Sequence, residues 1–272
     1  MRELVIEPKK GLTRFWRELW EYRELFYFLA WRDFRVRYKQ TLIGAAWSIV
    51  RPTLTMIVFS VIFGRIAKLP SGDVPYPIMV YAAMLPWQFF STTIMESAIS
   101  LVRNAHLITK VYFPRIVLPF GALFVNLVDF FMASIVLVLL MIWYGFAPDW
   151  KILFAPLFLL LAGLTSVGAG LFMAALNVKF RDFQFVLPFL VQLGLYISPV
   201  GFSSDVVPDK WRLLYSLNPM VGVIDGFRWC LLGSEASFYI PGLILSVCLA
   251  LALFCGGIWF FIRTERGFAD VI

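Results

Sequence analysis

Three ionisable side chains lie inside long apolar runs, where each needs a partner or water. They are Arg51, Glu96 and Asp129, and Asn126 precedes Asp129 by about one helical turn. An ionised group at mid-membrane depth costs roughly 2.5–3.5 kcal/mol on insertion scales. Two interpretations remain open. Either Arg51 pairs with Glu96 or Asp129 and joins two helices, or some of these groups face a hydrated path.

A basic segment precedes the first apolar run. Its cations are Arg32, Arg35, Arg37 and Lys39. Arg32, Arg35 and Lys39 share one face if the segment is helical. Residues 12–30 place aromatic and leucine side chains every three to four positions with charges between them, which predicts a helix lying in the membrane interface. The cations either orient the protein and contact lipid headgroups, or they attract an anionic lipid-linked substrate.

An aromatic stripe follows one face of the fifth apolar run, at spacings of four, three and four residues. It consists of Phe185, Phe189, Gln192 and Tyr196. The first run contributes Trp47 and Ser48. Sugars stack on aromatic rings and hydrogen-bond to amides, so the stripe could line a path for a glycan. Ordinary packing of aromatic side chains is the alternative.

The connector 101–115 mixes apolar residues with cations. This pattern is typical of a short helix that docks into a groove on another protein. The chain has one histidine, His106, and it lies in this connector. We interpret His106 as a surface or docking contact and not as a catalytic group.

Several kinds of chemistry are excluded by missing motifs. The sequence has no Gly-x-x-x-x-Gly-Lys-Ser/Thr loop, so it does not bind ATP in the P-loop manner. It also has no metalloprotease, nucleophile-elbow or paired-aspartate motif. The cysteines Cys230, Cys248 and Cys255 lack metal-ligand spacing. We predict no cofactor and no metal in this chain, so energy for active transport would come from an ion gradient or a partner. The scattered charges form no obvious proton relay, which favours the partner.

Six long apolar runs have to position these residues. They occupy residues 42–63, 78–100, 116–144, 152–176, 183–202 and 240–262. A span needs about 20 apolar residues, and backbone groups in lipid must be satisfied internally. With 61% hydrophobic residues, the chain is predicted to be an all-α membrane protein of six transmembrane helices. Residues 1–41 form an interfacial N-terminal segment, and residues 42–272 form the transmembrane domain.

The stretch 203–239 contains a further apolar helix that is too short to span. Asn218 and Pro219 make a favourable helix start. The run 220–232 would reach about 20 Å at 1.5 Å per residue. We predict a re-entrant or interfacial helix here. Most Lys and Arg residues outside the runs lie in 1–41, 101–115, 177–182 and 263–272, so both termini are predicted to be cytoplasmic.

Taken in order, the motifs resemble those of the membrane subunits of bacterial ABC exporters for lipid-linked polysaccharides. Within this family they are most similar to the O-antigen permeases. They cover nearly the whole chain and comprise 31–42 with Gly44, Trp47 and Pro52, then 85–87, 104–108, 110–115, Pro119, 177–182, 198–200, 218–220 and 265–272.

The resemblance implies a homodimer with its pore on the two-fold axis, in the bacterial inner membrane. Two copies of a separate ABC ATP-binding subunit, which would hold ATP and Mg, would lie beneath it. The cargo would be an undecaprenyl-pyrophosphate-linked O-antigen polysaccharide. A coupling helix would lie at about 101–113, and periplasmic gate helices at about 203–236.

The resemblance also assigns residues. The substrate headgroup would meet Arg32, Arg35, Arg37 and Lys39. The channel would be lined by Trp47, Ser48, Arg51, Phe185, Phe189, Gln192 and Tyr196. Coupling to the ATPase would use Arg103, Asn104, His106, Leu107, Lys110 and Tyr112.

Three alternatives were weighed beside the O-antigen permease. A capsule or teichoic-acid exporter shares much of this pattern. A drug or small-molecule exporter would have the same architecture. An integral-membrane enzyme acting on polyprenyl-linked sugars would need clustered carboxylates, for which Asp33 and Asp182 are the candidates beside the bilayer. Both are better explained as local ion pairs with neighbouring arginines.

Overall fold

The computed structural model describes residues 20–39, 44–69, 74–233 and 239–268, and within these ranges the chain contains helices and turns but no strand. In chain order the α-helices are α1 (Arg23–Lys39), α2 (Gly44–Phe59), α3 (Tyr76–Arg103), α4 (Ala105–Lys110), α5 (Val117–Trp143), α6 (Ala155–Lys179), α7 (Phe183–Ile197), α8 (Asp209–Tyr215), α9 (Pro219–Leu232) and α10 (Ile240–Thr264). A π-helical segment, Ser60–Ile66, extends α2, and a 3₁₀ turn, Trp150–Phe154, precedes α6. The prediction of an all-α membrane protein is confirmed.

Five helical segments are long and apolar enough to cross a membrane. They are Ala46–Ile66, Tyr76–Arg103, Val117–Trp143, Trp150–Lys179 and Ile240–Thr264. They coincide with five of the six predicted runs. The remaining run, 183–202, forms the shorter apolar helix α7.

Helix α7 ends at Ile197 because of the sequence that follows it. Ser198 has an extended backbone (φ −77°, ψ 153°) and precedes Pro199, whose ring disfavours a helical conformation in the residue before it. Fifteen residues at 1.5 Å each reach about 22 Å, less than the roughly 30 Å hydrocarbon layer. Of the remaining residues of the run, Ser198–Val200 form a buried turn.

Helix α3 lies at the centre of the bundle. In its most apolar stretch 78% of the residues are buried, against 17% in the span formed by α2. Ile78, Val80 and Tyr81 are fully buried, and the Tyr81 hydroxyl donates to the Ala133 carbonyl of α5 at 3.1 Å. The core therefore forms around α3, while α2 lies at its edge.

The crossing of α6 and α10 requires glycine. A Cβ atom on Gly168 would lie 2.6 Å from backbone atoms of Leu253, and one on Gly257 would lie 2.3 Å from the Gly168 carbonyl oxygen. The two backbones are therefore in direct contact, as small residues permit between membrane helices.

The short helix α9 is buried within the bundle, and whether it is re-entrant or interfacial stays a prediction. Residues Met220 to Arg228 are all buried, and α9 packs against α3, α6 and α10. Asn218 caps it, since its Oδ1 accepts from the Met220 N–H at 3.1 Å, as the sequence predicted. Gly226 faces the ring of Phe158, which would lie 1.9 Å from an added Cβ.

In the described part of the N-terminal segment, the helix continues past the end of the amphipathic pattern at 12–30. Helix α1 covers Arg23–Lys39 and so includes the whole basic segment. Leu29 is buried in a cluster with Ile108 of α4 and Phe261 of α10. Residues 12–19 of the predicted amphipathic helix lie outside the described part of the chain.

Candidate functional site

Arg37 of α1 is the centre of an ion-pair network between three helices. Its Nη2 lies 2.7 Å from Glu96 Oε1 on α3, and its Nη1 lies 2.6 Å from Asp129 Oδ2 on α5. The same Nη1 donates to Asn126 Oδ1 at 2.8 Å. Asp129 lies roughly 18 Å along α5 from Val117 at 1.5 Å per residue, so α1 reaches well into the bundle.

The proposed pairing of Arg51 with Glu96 or Asp129 is wrong. Arg37 occupies both carboxylates, because the planar guanidinium presents several N–H donors in different directions and can bridge two acids. Arg51 is exposed, and it makes no ion pair with any residue that the structure describes. The charges that join the helices inside the bundle come from α1 and not from α2.

Tyr38, the residue after Arg37, contacts the second carboxylate oxygen of Asp129. Its hydroxyl donates to Asp129 Oδ1. Burial, with this hydrogen bond and the carboxylate charge, raises the pKa of Tyr38 well above its ordinary value, so the hydroxyl remains protonated and acts as a donor. Both carboxylate oxygens of Asp129 are therefore satisfied by residues of α1.

The network continues to the end of α3. Arg103 Nη1 lies 3.1 Å from Glu96 Oε2, and its Nη2 lies 3.9 Å from Asp33. Arg32 pairs with Asp33 at 2.7 Å and donates to Asn104 Oδ1 at 2.7 Å. Charged contacts thus run without a break from the middle of α5, through α1, to the junction between α3 and α4.

These contacts divide the predicted headgroup residues into two pairs. Arg32 and Arg37 have carboxylate partners within the chain. Arg35 and Lys39 are exposed, and neither has an ion-pair partner among the described residues.

Asp33 is held by Arg32 and Arg103, as the ion-pair interpretation expected. Asp182 is exposed, and the described ranges contain no cluster of three His, Cys, Asp or Glu side chains that could hold a metal.

The predicted coupling segment contains the short helix α4. His106 and Lys110 are exposed, as is Tyr112 just beyond the helix, while Leu107 is half-buried. Ile108 is buried in the cluster that contains Leu29. Asn104 is buried and accepts from Arg32, while Arg103 is exposed and also belongs to the ion-pair network.

Trp47, Ser48 and Arg51 line an open cleft between α2, α3 and α5. The cleft has a volume of about 160 Å³. Its other lining residues are Leu85, Gln88, Phe89, Thr92, Asn126, Asp129, Phe130 and Ala133. Three of the seven predicted channel residues therefore share one recess.

The four predicted residues of the α7 stripe point away from the rest of the chain. Phe185 is 74% exposed, Phe189 60% and Tyr196 56%, and Gln192 is also exposed. Tyr196 approaches Phe59 of α2, with ring centroids 6.5 Å apart. Exposed aromatic side chains are therefore present on α7 and, at Trp47, on α2.

Sequence reasoning missed Arg228 on α9. It is 4% exposed, and it donates to three carbonyl oxygens, those of Met79, Val200 and Phe202, at 3.1, 2.9 and 2.8 Å. Arg228 therefore fastens the turn after α7 to the start of α3. The signal for it was a charged pair three residues apart, Asp225 and Arg228, within an apolar helix.

An all-helical bundle with several membrane-crossing helices and charged contacts inside it defines a multi-pass membrane protein. The chain belongs to the ABC-2 type transporter family, whose membrane-domain profile matches residues 24–232.

Curated relatives match along most of their length. The O-antigen export system permease protein RfbA of Myxococcus xanthus is 30% identical over 220 residues, covering 80% of this chain and 84% of that protein. A protein of the same name from Klebsiella pneumoniae is 26% identical over 251 residues, 89% of this chain and 92% of its own. The polysialic acid transport protein KpsM of Escherichia coli is 24% identical over 228 residues, 83% and 88% of the two chains.

Proposed function

We propose that this chain is the permease subunit of an ATP-driven exporter that moves undecaprenyl-pyrophosphate-linked O-antigen polysaccharide from the cytoplasm to the periplasm. The observation that carries the proposal is the similarity to O-antigen export permeases along 80% and 89% of the chain. The chain transports and catalyses no reaction itself. ATP and Mg are bound by a separate ABC subunit.

The exposed faces of α2 and α7 support a homodimer with the pore between the copies. Trp47 is 57% exposed and is followed by Ser48, and Phe185, 74% exposed, shares one helix face with Gln192. In the proposed dimer these faces surround a hydrated conduit on the two-fold axis. Aromatic rings and amides along it let a glycan slide without a deep binding site that would trap a long polymer.

Two ABC ATP-binding subunits dock beneath the dimer, at the exposed side of α4. His106 and Lys110 face outward there, and Ile108 anchors the opposite side in the protein. Arg103 and Asn104 join this region to Asp33 and Arg32 of α1. A shift of α4 therefore moves the end of α3 and α1 together. ATP binding drives this shift if the partner holds one arrangement of α4 more tightly than the other.

Helix α1 receives the pyrophosphate headgroup at the inner surface. Of the four cations in the basic segment of α1, Arg35 and Lys39 remain exposed and without an ion-pair partner in the described ranges. Arg32 and Arg37 support them by fixing α1 to α3, α4 and α5. The gate segment at about 203–236 includes α8 and α9 and lies at the periplasmic end; its residues 234–236 lie outside the described part of the chain. Both termini are cytoplasmic, and the protein belongs to the bacterial inner membrane.

A capsule exporter is the second candidate, because the polysialic acid transport protein KpsM also matches over 83% of the chain. The two candidates differ in cargo and share the architecture. The chemical identity of the polymer that accumulates inside cells when export stops distinguishes the two candidates.

Deletion of the gene tests the proposed function. We expect lipid-linked polysaccharide to accumulate on the cytoplasmic side and surface O-antigen to disappear, both restored by the wild-type chain with its ATP-binding subunit. A deletion strain with unchanged surface polysaccharide and no accumulated intermediate would overturn the proposal.

A further inference from the structure

The cleft between α2, α3 and α5 contains hydrogen-bond donors that no residue of the described chain satisfies. Asn126 is 1% exposed and lines the cleft, and its Nδ2 has no hydrogen-bond partner in the described ranges. A buried polar atom without a partner loses its hydrogen bonds to water and gains none in return, which is unfavourable. The amide orientation is fixed, because Arg37 has donors only and must meet the Asn126 oxygen.

Two further donors converge on the same recess. Arg51 is exposed on α2 and has no ion-pair partner among the described residues. The side-chain amide of Gln88 lies on the α3 wall, half-buried, and makes no hydrogen bond with the described chain. The Thr92 hydroxyl donates to the Gln88 carbonyl at 2.7 Å and keeps its lone pairs.

The negative charge of the recess is already neutralised. Asp129 is the carboxylate in the lining, and its two oxygens are occupied by Arg37 and Tyr38. Arg51 is thus left as the uncompensated charge of the lining. Since the free groups are mainly donors and the free charge is positive, an occupant should present acceptor oxygens with negative charge.

The size and walls of the cleft limit the occupant to one small group. Its volume of about 160 Å³ is close to that of an engineered cavity of roughly 150 Å³ that holds one benzene ring. Phe89 and Phe130 form an apolar floor, and Trp47, 57% exposed, stands at the edge, where its ring can stack on a sugar. One sugar ring or one phosphate group fits, and a chain of sugars does not.

We propose that this cleft is a subsite for a single oxyanion group of the transported glycolipid, held by Arg51, Gln88 and Asn126. The inference rests on the proposed export function and deepens it. Two parts of such a substrate carry this chemistry, the pyrophosphate of the lipid carrier and the carboxylate of an acidic sugar. Arg37 and Tyr38 shape the subsite indirectly, by holding Asp129 and the Asn126 oxygen away from the occupant.

The test compares two probes on the complete complex of this chain with its ATP-binding subunits. One probe is farnesyl pyrophosphate, which has no sugar, and the other is a uronic-acid oligosaccharide, which has no lipid. We expect Arg51→Gln to weaken binding of one probe by about tenfold or more, because a charge-assisted hydrogen bond is lost. The probe that is affected identifies the source of the oxyanion.

Matched variants separate binding from folding. Arg65→Gln removes the other exposed arginine of the same span, outside the cleft, and should leave both affinities unchanged. Arg51→Lys should restore part of the affinity. Gln88→Leu removes an amide without changing charge and should weaken the same probe. Complex formation is confirmed for each variant by size-exclusion chromatography.

The inference is overturned if the wild-type complex binds neither probe. It is also overturned if the Arg51→Gln and Gln88→Leu variants bind both probes as tightly as wild type does. The second result is expected of a cleft that holds water alone. In that case the proposed function would still be supported if the wild-type complex exports polysaccharide. Unchanged surface polysaccharide after gene deletion would instead remove the proposed function, while the probe affinities would still decide whether the subsite exists.

Discussion

The Nη2 atom of Arg37 lies 2.7 Å from Oε1 of Glu96, and this contact fixes helix α1 to the central helix α3. Through Nη1 the same guanidinium also holds Asp129 of α5. A helix that would otherwise lie in the membrane interface is thereby attached to two helices of the bundle. Arg103 extends the contact from Glu96 to the beginning of the coupling segment.

Replacing Arg37 by glutamine should destabilise the protein. Glu96 and Asp129 would lose their common cation. Because these side chains are about a quarter exposed, the loss in free energy of unfolding should lie between those of surface and buried ion pairs, about 1–3 kcal/mol. Thermal unfolding of the purified complex measures it. Arg35→Gln, an exposed neutral substitution on the same helix, is the control, and an equal effect of both would contradict the network.

Reversing the charges of Arg35 and Lys39 should impair the response to substrate. Both are exposed, so Arg35→Glu with Lys39→Glu should repel a pyrophosphate headgroup without removing an ion pair of the described chain. We expect substrate-stimulated ATP hydrolysis of the assembled complex to fall several-fold more than basal hydrolysis. Equal loss of both activities would show that these cations only support folding or partner docking. Lys210→Glu on α8 is a matched exposed control.

Removing the aromatic stripe should lower export. Alanine at Phe185, Phe189 and Tyr196 together takes away the exposed rings of α7, so the polymer would lose its stacking surface. The measurement is surface polysaccharide, with dimer assembly checked in parallel. A triple alanine variant of α10, at Ile244, Leu251 and Trp259, removes comparable exposed side chains from another span. Normal export in the α7 variant would exclude an aromatic conduit.

Acidic substitutions at His106 and Lys110 should uncouple the permease from its ATPase. Both side chains are exposed, and Ile108 holds the opposite side of α4 in the core, so the fold should persist. We expect the double variant to recover less ATP-binding subunit in co-purification. Lys179→Glu, at the end of α6, is the control. Full recovery of the partner by the double variant would place docking elsewhere.

Replacing Arg228 by methionine should unfold the region around α9. Three carbonyl oxygens would lose their donor, and the buried Asp225 would keep only the weaker influence of Arg212. We therefore expect a loss of about 3–5 kcal/mol. Thermal unfolding again measures it. The double variant Asp225→Asn with Arg228→Met should recover part of this stability. A melting temperature unchanged in Arg228→Met would show that the three hydrogen bonds do not hold the turn.

Much of the architecture could be read from the sequence. The lengths of the apolar runs predicted six spans, because a helix must satisfy its own backbone in lipid. Five of them are helices long enough to cross a membrane, and the sixth contains the shorter helix α7. Asn218 and Pro219 marked the start of α9 through local capping chemistry. The alternation of cations and apolar residues in 101–115 located a short exposed helix between two spans. Each of these features depends on residues close together in the chain.

The partners of the charged residues depended on the tertiary structure. The sequence offered Arg51 as a partner for Glu96 or Asp129, but the structure brings Arg37 to both, because α1 docks against α3 and α5. No local pattern records how a helix outside the spans will tilt into the bundle. The buried position of Arg228 and the unsatisfied amide of Asn126 have the same origin, since side chains from separate helices create both environments. The sequence by itself determined which segments enter the membrane, since burial of apolar runs depends on composition and length. The packing of the helices decided which polar groups meet and which remain available to a ligand.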